Sequence, residues 1–126
     1  MILDFTKKTL SPGLVVVEIK GTMHTGPDCL RLAKEVDSLI AAHETRVVFD
    51  LSALTHADSA AMGALVRCLS NLKKAGGTLR IAAAHPMIVH SLKLTKIDQL
   101  VEMFPTVTEA AAAFSSPPPN PTALPS

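Results

Sequence analysis

The sequence predicts an α/β fold: a mixed central sheet of about four to five strands flanked by about four helices. Three observations lead there. Two short runs rich in β-branched residues, Leu14–Ile19 and Arg46–Leu51, read as buried strands. Between and after them come longer stretches whose apolar residues recur at helical spacing. Glycines and prolines fall at the joints rather than inside these segments. A chain of 126 residues suits one domain with a single modest core.

The elements follow in order. Ile2 to Thr6 is expected as a short edge strand, then a turn at Ser11-Pro12-Gly13. Leu14-Val15-Val16-Val17-Glu18-Ile19-Lys20 is the clearest strand, closed by Gly21 and pairing with the first as a hairpin. Thr25-Gly26-Pro27-Asp28 signals a helix start, with Pro27 suited to the first helical position and Asp28 to the positive helix end. Cys29, Leu32, Ala33, Val36, Leu39 and Ile40 then repeat at helical spacing, and this helix should end near His43. After the strand ending in Asp50-Leu51, a second helix runs from Ser59. Its residues Met62, Leu65, Val66, Leu69 and Leu72 stand at i, i+3, i+4, i+7 and i+10. Gly76-Gly77 stops it with a left-handed cap. Thr78 to Ala83 is the next strand, Pro86 opens a short helix to about Leu94, Gln99 to Met103 forms a last short strand, and Pro105 to Phe114 a final helix.

Residues 1–114 are therefore expected to form the domain. The remaining twelve, 115–126, hold five prolines among Ser, Asn and Thr, too few apolar groups to pack, and are expected as a disordered tail.

Composition excludes several functions. Formal net charge is +1 with both signs interspersed, so there is no basic face for nucleic acid. The absence of Trp and Tyr argues against a sugar- or base-stacking surface. Cys29 and Cys68 each fall inside a helix, which with no signal-peptide pattern points to a reducing, cytoplasmic setting. No apolar run is long enough to insert in a membrane. His24, His43, His56, His85 and His90 show no ligand spacing, so neither metal nor other cofactor is expected.

The most informative stretch is His56-Ala57-Asp58-Ser59-Ala60-Ala61-Met62-Gly63. It places Asp58 and Ser59 at a helix entrance, where the first backbone N–H groups lack intrahelical partners. On residues alone this is an ordinary N-cap. It is equally a place where an added phosphate meets free donors and the positive end of a helix dipole. Asp58-Ser59 after a strand ending in Asp50-Leu51-Ser52 resembles the STAS domains of bacterial anti-sigma factor antagonists. The resemblance runs in the right order from about Leu14 to Phe114: Gly21 after a strand, the strand to Asp50, Asp58-Ser59, Gly76-Gly77 before another strand, and His85-Pro86 opening a short helix. Two positions depart from the family's usual pattern. Ala60-Ala61-Met62-Gly63 stands where Ser-Gly-Leu-Gly is common, and His24 where an aspartate is usual.

The resemblance implies a binding switch rather than an enzyme. Unphosphorylated protein would bind an anti-sigma factor that is a serine kinase and so release the sigma factor. Phosphorylation at Ser59 would end binding, and a phosphatase would reset it. The implied partner surface comprises Met23, His24, Thr25, Asp58, Ser59, Ala60, Gly63 and Ala64, with no direct nucleic-acid contact. Other STAS roles stay open: a subunit binding the ATPase of an ABC lipid-trafficking transporter, or a scaffold unit of a stress-sensing complex; an appendage of an anion transporter is disfavoured, since no membrane segment is expected here. A Ser-His hydrolase built on Ser59 is disfavoured, because no Gly-x-Ser-x-Gly elbow surrounds it.

Overall fold

The computed structural model describes residues 3–23 and 27–115. Two strands open the chain, β1 (Asp4–Ser11) and β2 (Leu14–Met23), paired antiparallel from Asp4 opposite Lys20 to Ser11 opposite Leu14. Gly13, at φ +79°, makes the turn between them, a backbone setting that costs glycine nothing. β1 is longer than its apolar pattern suggests. Lys7, Lys8 and Thr9 lie beyond the expected strand Ile2–Thr6, yet they pair with Val17, Val16 and Val15 of β2. Their exposure is that of an edge strand, where charged side chains blunt further pairing.

β2 is the hub. One edge holds β1; the other holds β3 (Arg46–Asp50), parallel, from Leu14 opposite Arg46 to Glu18 opposite Asp50. β3 pairs parallel with β5 (Thr78–Ala82), and β5 with β6 (Glu102–Phe104), so the order is β1-β2-β3-β5-β6. A sixth strand, β4 (Leu54–Ala57), pairs with the far end of β2 alone. The mixed sheet and four helices agree with expectation, and β4 is the addition. The last strand begins later than expected because Ile97–Gln99 form a turn of 3₁₀ helix first.

Among the described residues four helices cover the sheet: α1 (Pro27–Ala41), α2 (Ser59–Lys74), α3 (Pro86–Leu94) and α4 (Val107–Ser115). Side chains alternate across each strand, so the two faces bury different sets. Val15, Val17, Ile19, Val47, Phe49, Leu79 and Ile81 meet Leu32, Val36 and Leu39 of α1, the buried stripe of α2, and Ile88 and Leu92 of α3. Leu14, Val16, Val48 and Ala82 form a smaller core on the other face, closed by Ala110 and its α4 neighbours Val107, Ala111 and Phe114.

At its end α2 closes with the bonding predicted for Gly76-Gly77. The Gly76 N–H donates to the Lys73 carbonyl at 3.0 Å and the Gly77 N–H to that of Leu72 at 2.8 Å, with Gly76 at φ +87°. Gly77 has a second reason to be glycine: a Cβ there would overlap the Thr45 carbonyl, which accepts the Thr78 N–H at 3.0 Å. We therefore expect Gly77→Ala to destabilise the protein by about 1–3 kcal/mol, the usual range for overpacking. A lowered urea midpoint at unchanged slope is the readout, and an unchanged midpoint would refute the close approach.

Candidate functional site

Because β2, β3, β5 and β6 run parallel, the chain leaves their carboxyl ends to begin its helices, and all four helix N-termini gather at that end of the sheet. The positive ends of four helix dipoles are thus directed to one side of the molecule.

Within that end, the short β4 aims the start of α2. Thr22 stands opposite His56 and Met23 opposite Ala57, and the Asp58 N–H continues the ladder to the Met23 carbonyl at 3.3 Å. The Thr55 hydroxyl donates to the Gly21 carbonyl at 3.0 Å, and the Gly21 N–H to that of Ala53 at 2.9 Å. Upstream, an Asp50 carboxylate oxygen accepts the Ser52 N–H at 3.0 Å, turning the chain from β3 into β4.

Asp58 has the extended backbone of an N-cap (φ −82°, ψ 178°), and its Oδ1 accepts the Ala61 N–H at 2.8 Å. That leaves the N–H groups of Ser59 and Ala60, the first two of the helix, without intrahelical acceptors. Ser59 is exposed, and no acidic residue occupies the first turn of α2. The Ser59 hydroxyl is thus an exposed group at a capped helix start, beside backbone donors that have no acceptor within the helix.

Of the residues expected on this surface, Ser59, Ala60 and Gly63 are exposed and Asp58 half-buried. Two are corrected. Met23 is fully buried, so it supports the site from beneath and offers its backbone carbonyl to Asp58 rather than its side chain to a partner. Ala64 is 8 % exposed because α2 packs not only on the sheet but also, along its flank, on α1. His24 and Thr25 lie outside the described residues.

That second packing flank also explains Cys68, which falls off the main apolar stripe yet is buried. Between α1 and α2 runs a groove of about 200 Å³ lined by Cys29, Leu30, Ala33, Ala64, Arg67, Cys68 and Asn71. At its upper end the Cys29 thiol lies 3.8 Å from the Ala60 carbonyl. Burial, aided by the negative charge of Asp37, pushes the Cys68 thiol up to about 12. Neither Cys29 nor Cys68 is in a disulfide. Among the described residues no group of three or more His, Cys, Asp or Glu is placed to hold a metal, and no helix is long and apolar enough to cross a membrane.

The STAS domain family profile matches residues 6–110. The chain belongs to the STAS domain family. The fold is shared with solved STAS structures at low identity. An anti-sigma factor antagonist from Mycobacterium paratuberculosis superposes with a TM-score of 0.78 at 22% identity, covering 91% of this chain and 96% of that one. The Bacillus cell fate determinant SpoIIAA, in its phosphorylated form, gives 0.70 at 15%, covering 88% and 99%. A sulfate transporter family protein from Wolinella succinogenes gives 0.69 at 16%, covering 86% and 89%. The STAS fold thus serves proteins of different kinds, and the chain's own residues must distinguish among them.

Two outcomes test this site. Asp58→Ala, which removes the cap, should lower stability by about 1 kcal/mol, whereas Gly63→Ala should raise it by about 0.5–1 kcal/mol. Urea unfolding measures both, and a destabilised Gly63→Ala would show that the fold itself requires the glycine. Cys68 gives the second. The unfolded thiol ionises near its ordinary value of 9.0 while the folded one stays neutral to about 12. Unfolding therefore releases a proton in that window, and stability falls as pH rises above about 9. Cys68→Ala, compared with wild type across that pH range, should flatten the decline.

Proposed function

We propose that this STAS domain is an anti-sigma factor antagonist switched by phosphorylation at Ser59. In this reading the unphosphorylated protein binds an anti-sigma factor with serine kinase activity, and the sigma factor is released. Phosphate on Ser59 then ends the interaction, and a separate phosphatase restores it.

The observation that carries the proposal is the position of Ser59: exposed, first in α2, with its neighbour Asp58 already supplying the cap. A phosphoserine adds about −1.5 to −2 charges and three acceptor oxygens. The free N–H groups and dipole of α2 accommodate that charge, so the fold is retained. A partner lying over Ala60 and Gly63 meets it as a bulky, hydrated anion beside the Asp58 carboxylate, and docking fails through repulsion and desolvation. The catalyst is the partner; this chain is its substrate. The structural likeness to an anti-sigma factor antagonist and to a phosphorylated SpoIIAA supports this reading.

A second reading keeps the surface and changes the partner to a transport protein, the ATPase of an ABC lipid-trafficking system among them. The likeness to a sulfate transporter family protein favours carrying it. There Ser59 is a contact and is never phosphorylated.

One comparison tests both. Wild type and Ser59→Asp are used as bait in the source cell. A serine kinase of the anti-sigma type retained by wild type, reduced about tenfold or more by Ser59→Asp, and phosphorylating wild type but not Ser59→Ala is the expected result. Equal retention by both baits would sink the switch, and a transport ATPase as the retained protein would establish the second reading.

A further inference from the structure

Glycine in the exposed middle of a helix is an unfavourable choice, by about 0.5–1 kcal/mol against alanine. Nothing among the described residues requires it at position 63, where a Cβ would meet no described atom within 4 Å. Steps of four residues place Ser59, Gly63, Arg67 and Asn71 in one row along α2, with Gly63 as a notch between serine and arginine. The groove between α1 and α2 runs beside that row. Buried Ala64 and Cys68 lie at its base, Leu30 stands on its α1 side, and Arg67 and Asn71 on its α2 side.

Two exposed groups flank the groove without a partner among the described residues. Leu30 is 60 % exposed although α1 is otherwise amphipathic. Arg67, exposed, forms no ion pair or hydrogen bond among the described residues; the acidic side chain whose field reaches the base of the groove is Asp37, and its charge is felt at Cys68 together with that of Arg67. Arg31, the other arginine of α1 and α2, is by contrast fully engaged, donating to the Leu3 carbonyl at 2.8 Å and lying over the Phe5 ring. The groove, at about 200 Å³, is smaller than the roughly 300–1,000 Å³ of small-molecule sites. It has room for one large side chain of a macromolecule.

We infer that the protein partner covering Ser59 also seats on this groove, inserting one large apolar side chain against Leu30 and setting a carboxylate on Arg67. The inference rests on the reading of Ser59 as the centre of a protein interface and adds the partner's chemistry: an acidic segment with an apolar anchor. Gly63 lets the partner's chain pass close to α2 between the two contacts. The unpaired guanidinium selects an acidic partner and steers its approach.

Photo-crosslinking in the source cell tests it with the full chain. Benzoylphenylalanine is placed at position 30 or 71, and, as a control on the opposite face of the sheet, at position 108 of α4. The expected result is one discrete adduct from positions 30 and 71 and none from 108, with the linked peptide carrying Asp or Glu beside an apolar residue. Arg67→Glu should reduce that adduct by about tenfold or more, since an attractive rim charge becomes a repulsive one, while leaving the melting temperature unchanged. No adduct at 30 or 71, insensitivity to Arg67→Glu, a linked peptide without an acidic residue, or a linked peptide from a second copy of this chain would each overturn the inference. Ser59→Asp in the same assay separates the two claims. If the Arg67-dependent adduct persists, the groove is a docking site and the phosphorylation switch fails; if it is lost, both stand.

Discussion

The structure depends on the length of β2. Its first half is held on both edges, by β1 and β3, and its last three residues extend past β3 to hold β4. Backbone hydrogen bonds are directional and costly to leave unmade when buried. The ladder from Thr22–His56 through Met23–Ala57 to the Asp58 N–H therefore fixes where α2 begins. What is proposed for Ser59 follows from that placement: its exposure and the cap supplied by the residue before it.

The sequence was legible where burial imposes a period. Val15, Val17 and Ile19 alternate because one face of β2 meets the helices, and Leu32, Val36 and Leu39 recur at helical spacing because one side of α1 does. Helix ends were legible for a local reason, since Asp58 and Gly76-Gly77 act on neighbouring backbone groups. β4 was not. Leu54 is its one buried residue, and Thr55 and His56 are exposed; it is a strand because β2 is there to pair with it. Met23 and Ala64 were misplaced on the surface for a related reason. Whether a small or terminal residue is covered is decided by α1 and the core, distant in sequence. The same holds for Leu30 and Arg67, which lie on different helices and border one groove only because α1 packs beside α2.

α2 serves two demands that pull apart. Its buried flanks, Met62, Leu65, Leu69 and Leu72 toward the sheet and Ala64 and Cys68 toward α1, fasten it tightly. Its outer row keeps a glycine, where a Cβ would make no close packing contact, and an arginine that makes no hydrogen bond or ion pair among the described residues. Proteins hold stability above a threshold rather than at its maximum, and this helix carries the difference on its exposed face.

The unequal covering of the sheet has a consequence for how the molecule opens. Three helices close one face, while the other is closed by α4, with Arg80 of β5 lying 4.0 Å from the centroid of the Phe114 ring near its end. Release of α4 exposes Leu14, Val16, Val48 and Ala82 but breaks no strand pairing and leaves the large core intact. Undocking of this one helix therefore costs less buried surface than any opening of the large core, and amides of α4 are expected to exchange with solvent before those of β2, β3 and β5. α1 and α2 pack on the other face of the sheet, so the contacts that hold Ser59 in place belong to the large core and survive when α4 leaves.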